Sequence, residues 1–434
     1  MSVATGTTRT EGAQTTMSPT AVTADIRTIT DRVAAVIDEW APRLIGLSHA
    51  LHENPEPAFE EHASAAAVAE VLVEAGFDVE RGAWGLPTAL DAVYGDGDLT
   101  VTVCAEYDAL PGLGHACGHN IIASAGVGAA IALSRVADEL GIRVKLLGTP
   151  AEEMGGGKAL MLEAGAWEDA TVSIMVHPGP GITLPTKGGS SQSRDRFRVE
   201  FTGRASHAAA APSFGINAGD AATIAQVALG LLRQQLPDGI RMSAVTISTG
   251  EVSNIIPPSA IVEAEVRSFK PGETEVLKQR ALNCFAAAAL ATGCSYTVTP
   301  VDPVYESLVQ DPYLADRFDA SLLERGRVLT ELPPGAPLGG GSTDMGNVSL
   351  VVPSIHPMIG IAGTMAMPHT ADFAAVTASP AADDAILDAA YAMASAIVEL
   401  ATDAEARADM LRLQAERGVG ATRRPALATV EPKA

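Results

Sequence analysis

The sequence predicts an α/β protein: a mostly parallel sheet with helices on both faces, interrupted by an inserted α+β module. Three features predict it. Strand-length, β-branched runs alternate with Ala-rich helical stretches from about Ile26 to residue 190. From about Ser191 the pattern changes to runs of strands flanked by two long helices, and near residue 309 the first pattern resumes.

The elements follow in order. Residues 1–24 are polar and Thr-rich and lack an apolar h-region, so they read as a disordered segment and not as a secretory signal. From Ile26 to Gly76 the pattern is helical, with a Pro near the start of APRLIGLSHALHENP and a second helix in HASAAAVAEVLVEAG. TALDAVYG and LTVTVCAEYD have the length and β-branched content of strands. The loop GLGHACGHN then opens the Ala/Gly-rich helix IIASAGVGAAIALSRVADEL, and the strand VKLLGTP, the loop AEEMGGG, the helix ALMLEAG and the strand TVSIMVHPGP come after it. In such sheets ligands bind beyond the carboxyl ends of the strands. Three successive strands end in CAEYD, PAEE and VHPG, so the chemically able residues converge on one edge.

The module spans 191–308: a strand RFRVEFTG, a loop RASHAAAAPSFG, a helix from Asn217, strands SAVTISTG and AIVEAEVRSF, a helix from Glu273 and a strand SYTVTP. The main body, 25–190 and 309–417, then continues through a helix near Asp311, the loop GGGSTDMGNVS, the strand SIHPMIGI, the motif MPHT and a last helix from about Pro380 to Arg417. The tail, 418–434, is short of apolar residues and is expected to be loose.

Composition narrows the function. A 434-residue chain has room for more than one folding unit, and 47% hydrophobic residues with only 4% aromatics imply a core of Ala, Val, Leu and Ile. A net charge of −23 repels nucleic acid and anionic membranes, so neither is an expected partner. Four cysteines are too few for a disulfide scaffold; they point to a reducing, cytoplasmic compartment in which a thiolate is free to bind metal. No uninterrupted apolar run approaches the ~20 residues that span a bilayer.

His115, Cys117 and His119 alternate in GHACGHN, and a thiolate with nearby imidazoles suits zinc or another borderline-soft ion. Glu152 and Glu153 are adjacent at a strand end, with Gly155 to Gly157 leaving room for close approach. In an extended segment they point to opposite sides, so one can bind metal while the other faces substrate. His177 ends a strand and His369 lies in MPHTADF; either alone reads equally well as a core histidine, but together with the convergent loops they suggest a metal centre. Two divalent ions sharing a water acidify it and polarise a carbonyl, and a carboxylate that is not a ligand must then move the proton, for which Glu152 is the candidate. Cys104, Cys284 and Cys294 read as small buried hydrophobes, and His49, His52, His62 and His356 as structural or surface residues. The Gly triplets lack the residues of a phosphate loop.

The ordered segments AEYDALPGLGHACGHN, PAEEMGGGKALMLEAGAW, VHPGP, GRASHAAAAPSFGINAGDAA, GSTDMGNVSLVVPSIHP and MPHTADFA closely resemble the peptidase M20 family, over about Ile26 to Arg417. The nearest branch resembles subfamily D: aminobenzoyl-glutamate hydrolases, auxin-conjugate hydrolases and the dipeptidases of the M20 domain-containing protein 2 type. The resemblance implies a catalytic main body and an inserted dimerisation, or lid, domain. It implies Cys117 (bridging), His119, Glu153, His177 and His369 as ligands of two divalent ions (Zn²⁺, Mn²⁺ or Co²⁺), Glu152 as general base and Asp108 as the residue orienting a ligand imidazole. It further implies a homodimer in which His207 reaches the reacting carbonyl across the subunit boundary, with Asn254 and Arg267 holding a substrate carboxylate. The substrate is expected to be a small N-acyl amino acid, dipeptide or aminobenzoyl-glutamate-like amide. Asn120 departs from the Asp that many subfamily members carry after CGH, which is expected to alter the charge around a ligand. Two other readings of the residues stay open: a thiol hydrolase with Cys117 as nucleophile and His119 as base, and a non-catalytic small-ligand-binding protein of the same fold.

Overall fold

The structure, a computed structural model, describes residues 19–331, 339–418, 420–423 and 425–426. The chain opens with α1 (Pro19–Glu53) and α2 (His62–Glu74), then β1 (Asp78–Arg81), β2 (Leu90–Tyr94), β3 (Leu99–Ala105), α3 (His119–Ser134), α4 (Ala137–Leu140), β4 (Ile142–Gly148), α5 (Gly157–Ala164), β5 (Val172–Ile174) and β6 (His177–Gly179). The insert contributes β7 (Ser193–Thr202), α6 (Ala218–Arg233), β8 (Arg241–Ser248), β9 (Ser259–Ser268), α7 (Glu273–Thr292) and β10 (Ser295–Pro300). The chain ends with α8 (Pro312–Glu324), α9 (Met345–Ser349), β11 (Ser354–Ile355), β12 (Met358–Gly360), α10 (Ala371–Val376), α11 (Pro380–Thr402) and α12 (Ala404–Arg417).

The main sheet runs β1-β2-β4-β3-β5-β11. From β4 to β11 it is parallel, and β1 and β2 join antiparallel at one edge. Every residue of β3 is buried, and its sequence LTVTVCA, with Thr the only polar type, suits a strand covered on both faces. α3 is buried along its whole length, and its small residues explain how: a Cβ at Gly128 would stand 2.9 Å from Leu44 of α1 and 3.0 Å from Ala390 of α11. The side chains of Leu44 and Ala390 therefore press on the bare backbone of α3, which packs α1 and α11 tightly against it. α11 is long and apolar enough to cross a membrane by composition, but 67% of its most apolar stretch is buried, and it packs on α1, α3 and α8.

The insert forms an antiparallel sheet, β10-β7-β9-β8, covered by α6 and α7. In β9 the side chains alternate, with Ala260, Val262, Ala264 and Val266 buried on the helix-covered face. Phe197, Phe201 and Phe285 fill a core of its own.

Several expectations change. TVSIMVHPGP is not one strand: β5 ends at Ile174, and β6 leaves the main sheet to pair in parallel with β12. α1 runs through Pro42 without a break. Of the N-terminal segment expected to be disordered, residues 1–18 lie outside the described residues and 19–24 form the start of α1. The described part of the tail is docked and not loose: Arg423 pairs with Glu168, the Ala426 N–H donates to Glu163 at 3.3 Å, and Thr422 is buried.

Candidate metal centre

β3 delivers Glu106, Tyr107 and Asp108 to the carboxyl edge, and the following loop returns to His119, the first residue of α3. Gly118 is left-handed (φ 80°), and a Cβ there would lie 2.5 Å from Pro178, so the Cys117 loop presses on β6. As a result Cys117 Sγ stands 3.4 Å from His177 Nε2. His119 Nδ1 donates to Asp108 Oδ1 at 2.9 Å, and His177 Nδ1 donates to the Pro178 carbonyl at 2.7 Å. Both rings are therefore held with Nε2 turned into the site. Burial keeps His177 neutral, whereas at His119 burial is outweighed by Asp108 and Glu106, which raise its pKa, so a metal ion at His119 would take the place of its Nε2 proton.

Glu152 and Glu153 arrive differently from the strand-end expectation. They sit in a turn, not an extended segment: Ala151 has φ 59°, Gly155 and Gly156 have φ 118° and 64°, and the Gly156 N–H closes on the Ala151 carbonyl at 2.9 Å. Buried Glu61 holds this turn by accepting the Ala151 N–H at 2.9 Å. The two carboxylates then face the same nitrogen, with Glu152 Oε2 3.8 Å and Glu153 Oε1 3.9 Å from His119 Nε2. His369 enters from the rim in a left-handed conformation (φ 65°), tied by its N–H to the Ala116 carbonyl at 2.8 Å, with Nε2 3.4 Å from Glu153 Oε2.

Two trios of donors result, Cys117–His119–His177 and Cys117–Glu153–His369, each with its ligand atoms within 4.8 Å of one another. They share one sulfur, which is how a bridging thiolate would join two ions. The fit to cations is also seen in what is left over: His119 Nε2 and Glu153 Oε1 are buried without a hydrogen-bond partner. Burial, then the Glu153 charge, push the Cys117 thiol well above its usual range, so without a cation it is a poor nucleophile. Burial and the neighbouring Glu106 and Glu153 likewise raise Glu152 well above ordinary carboxylates. Asp108 stays low although burial opposes it, because the His119 charge and hydrogen bond outweigh the burial.

Other residues were not anticipated. Lys158 is fully buried, with Nζ bonded to Glu106 and, at 2.8 Å, to Asp344 Oδ1. Tyr305 donates to the Glu152 carbonyl at 2.6 Å. A signal was present: Lys158 stands among the apolar residues of GKALMLEA, whose other charged residue, Glu163, is exposed, so it demands buried counter-charges from elsewhere.

The remaining expected residues lie elsewhere. His207 and Asn254 are exposed neighbours in the insert, joined by the Ala208 N–H to the Asn254 carbonyl at 2.9 Å, and no described hydrogen bond or ion pair links either to the five ligands. Arg267 pairs with Glu265 at 2.6 Å and reaches Ser342 of the main body at 3.1 Å. Asn120 does not act on a ligand: its amide donates to Ser48 Oγ and to the Thr377 carbonyl, both at 2.8 Å, tying α3 to α1 and to the residue after α10.

Residues 88–399 match the model of peptidase family M20/M25/M40. The chain is similar to an Xaa-Arg dipeptidase of Mus musculus, 38% identical over 88% of this chain and 91% of that one. It is also similar to the Xaa-Arg dipeptidase of Homo sapiens, 35% identical over 90% and 94%. Its fold is shared by a dinuclear metal binding M20 peptidase of Bacillus subtilis, with a TM-score of 0.62 at 22% identity, covering 83% of this chain and 99% of the other. The chain belongs to peptidase family M20/M25/M40, as a metal-dependent amidohydrolase with a site for two divalent ions.

Proposed function

We propose that this enzyme is a subfamily D dipeptidase that cleaves a basic residue from the C-terminus of a dipeptide. The observation that carries the hydrolytic reading is the convergence of Cys117, His119, Glu153, His177 and His369, with Glu152 beside them. The substrate reading is supported by the similarity to two Xaa-Arg dipeptidases along nearly the whole chain, and a net charge of −23 attracts a cationic substrate. An aminobenzoyl-glutamate-like dianion fits less well, because the same net charge repels it.

When bound, the ions supply an acidified water and a polarised scissile carbonyl. Glu152 takes the water's proton and returns it to the leaving nitrogen; its raised pKa suits a group that must hold a proton in mid-reaction. Asp108 fixes the His119 ring. Arg267 and Asn254 are assigned to the substrate carboxylate. Cys117 acts as a ligand and not as a nucleophile, given its raised pKa. A cytoplasmic setting suits a thiolate ligand.

The enzyme works as a homodimer through the insert. Val245 and Ile247 on the uncovered side of edge strand β8, and Val227 and Leu231 on α6, are all more than half exposed, apolar groups that a second copy lying along this edge would cover. The partner chain would then bring its His207 to the carbonyl, which fits a His207 that makes no described hydrogen bond or ion pair with the ligands of its own chain.

The test is a panel of Xaa-Arg, Xaa-Lys, N-acyl amino acid and aminobenzoyl-glutamate substrates assayed with added Mn²⁺ or Zn²⁺. Xaa-Arg or Xaa-Lys should lead in kcat/KM by about tenfold or more, ~1.4 kcal/mol of discrimination. Preference for an acidic or aromatic amide overturns the substrate assignment. His207→Ala should lower turnover while metal content holds; normal kinetics would remove it from the mechanism.

A further inference from the structure

Behind the five expected ligands lies a buried ionic cluster whose charge is not balanced within the protein. Glu106, Lys158 and Asp344 are all inaccessible to solvent. Lys158 is clamped at both ends of its residue by Asp344: the backbone N–H donates to Oδ2 and the ammonium to Oδ1, each at 2.8 Å. The same ammonium bonds Glu106 Oε1. Two carboxylates then share the one ammonium, and the second negative charge, out of reach of water, needs a further cation near it, a protonated His119 or a metal ion.

The direction in which that charge points is visible. Glu106 Oε2 has no hydrogen-bond partner and lies 3.4 Å from His119 Nε2, which has none either. With a single proton on Nδ1, toward Asp108, the form in which His119 binds a metal, its Nε2 lone pair faces the carboxylate lone pairs directly. Two such pairs repel across a dry 3.4 Å gap unless a positive species lies between them, a proton on Nε2 in the metal-free protein or a metal ion in its place. A single ion with bond lengths of ~2.0–2.2 Å at near-tetrahedral angles holds its ligand atoms about 3.3–3.6 Å apart. Glu106 Oε2, His119 Nε2 and a Glu152 oxygen also form a third donor group within 4.8 Å of one another.

We propose that Glu106 is an additional ligand of the ion that His119 holds, binding through Oε2, and that Lys158 and Asp344 are positioning residues that fix this carboxylate. The proposal rests on the five-ligand assignment above. It makes the Lys158–Asp344 pair a device that leaves Glu106 one oxygen for the ion and no freedom to rotate.

The test reads metal, not turnover. Wild-type protein and Glu106→Gln are titrated with Co²⁺ and followed by visible absorption, with circular dichroism as a check on folding. The wild type should bind two ions. Glu106→Gln should bind one of them about 10–100-fold more weakly, the scale of a disturbed metal site, and its absorption band should shift. If the wild type binds two ions and the variant matches it in affinity and spectrum, Glu106 is not a ligand and the five-ligand assignment stands. If the wild type binds none, it is the five-ligand assignment that fails, and this proposal with it. Should the variant not fold, a crystal structure of the zinc-loaded wild type decides: Oε2 within ~2.2 Å of an ion supports the proposal, and Oε2 beyond bonding distance overturns it.

Discussion

Replacing Asp108 by Asn tests how the site is held, and its effect follows from counting donors. Asp108 is buried and uses both oxygens as acceptors, Oδ1 from His119 Nδ1 at 2.9 Å and Oδ2 from the Glu153 N–H at 3.0 Å. An amide of the same shape has one acceptor and one donor, so one partner N–H must face an NH₂ group. If that partner is Glu153, a buried donor is orphaned at about 1–3 kcal/mol. If it is His119, the ring can accept at Nδ1 only by moving its proton to Nε2, which removes the lone pair that binds metal. Loss of such an outer partner typically weakens metal affinity 10–100-fold, or ~1.4–2.7 kcal/mol. Competitive titration against a chromophoric chelator measures this, and urea unfolding of the metal-free protein separates the stability cost. Wild-type affinity in Asp108→Asn would refute the role given to Asp108 in setting the tautomer of His119.

Glu152→Gln should keep both ions and the fold yet lose ~10²–10⁴-fold in turnover, as elemental analysis and steady-state kinetics would report; unchanged turnover rejects Glu152 as the base. A chelator should abolish activity and added metal restore it, whereas a thiol hydrolase would survive chelation. In the metal-loaded enzyme Cys104 should resist iodoacetamide, since burial pushes its thiol up to about 12, and mass spectrometry of the alkylated protein checks this. Asn120→Asp should destabilise the fold by about 2–4 kcal/mol in urea, because a buried carboxylate replaces the amide that donates to Ser48 and to the Thr377 carbonyl. An unchanged midpoint would deny Asn120 its structural role.

Much of this was legible in the sequence. The five candidate ligands lie on four separate segments, three of which the strand pattern places at one sheet edge, and the structure brings all five together, His119 at the start of α3, His177 at the start of β6 and the other three in loops. The conformation of the Glu152–Glu153 turn was not legible, because it depends on left-handed φ at Ala151 and on Glu61, about ninety residues earlier in the chain. The split after Ile174 was hidden for a similar reason: β6 is drawn off by β12, a pairing that no local pattern announces. The hydrogen bonds of Asn120 were not legible either, since its partners Ser48 and Thr377 come from either end of the chain. Glu106, Lys158 and Asp344 were overlooked because each is unremarkable alone and acquires meaning only from the other two.

Cys117 belongs to both donor trios, so every account of this enzyme turns on what its sulfur holds. Equilibrium dialysis against Zn²⁺ or Mn²⁺ followed by elemental analysis, on the wild type and on Cys117→Ala, is the most direct measurement. The wild type should retain about two ions per chain, the stoichiometry of a two-metal hydrolase, and the variant should weaken both together. A wild type without tightly held metal, or a variant that still retains the full complement, contradicts a thiolate-bridged pair.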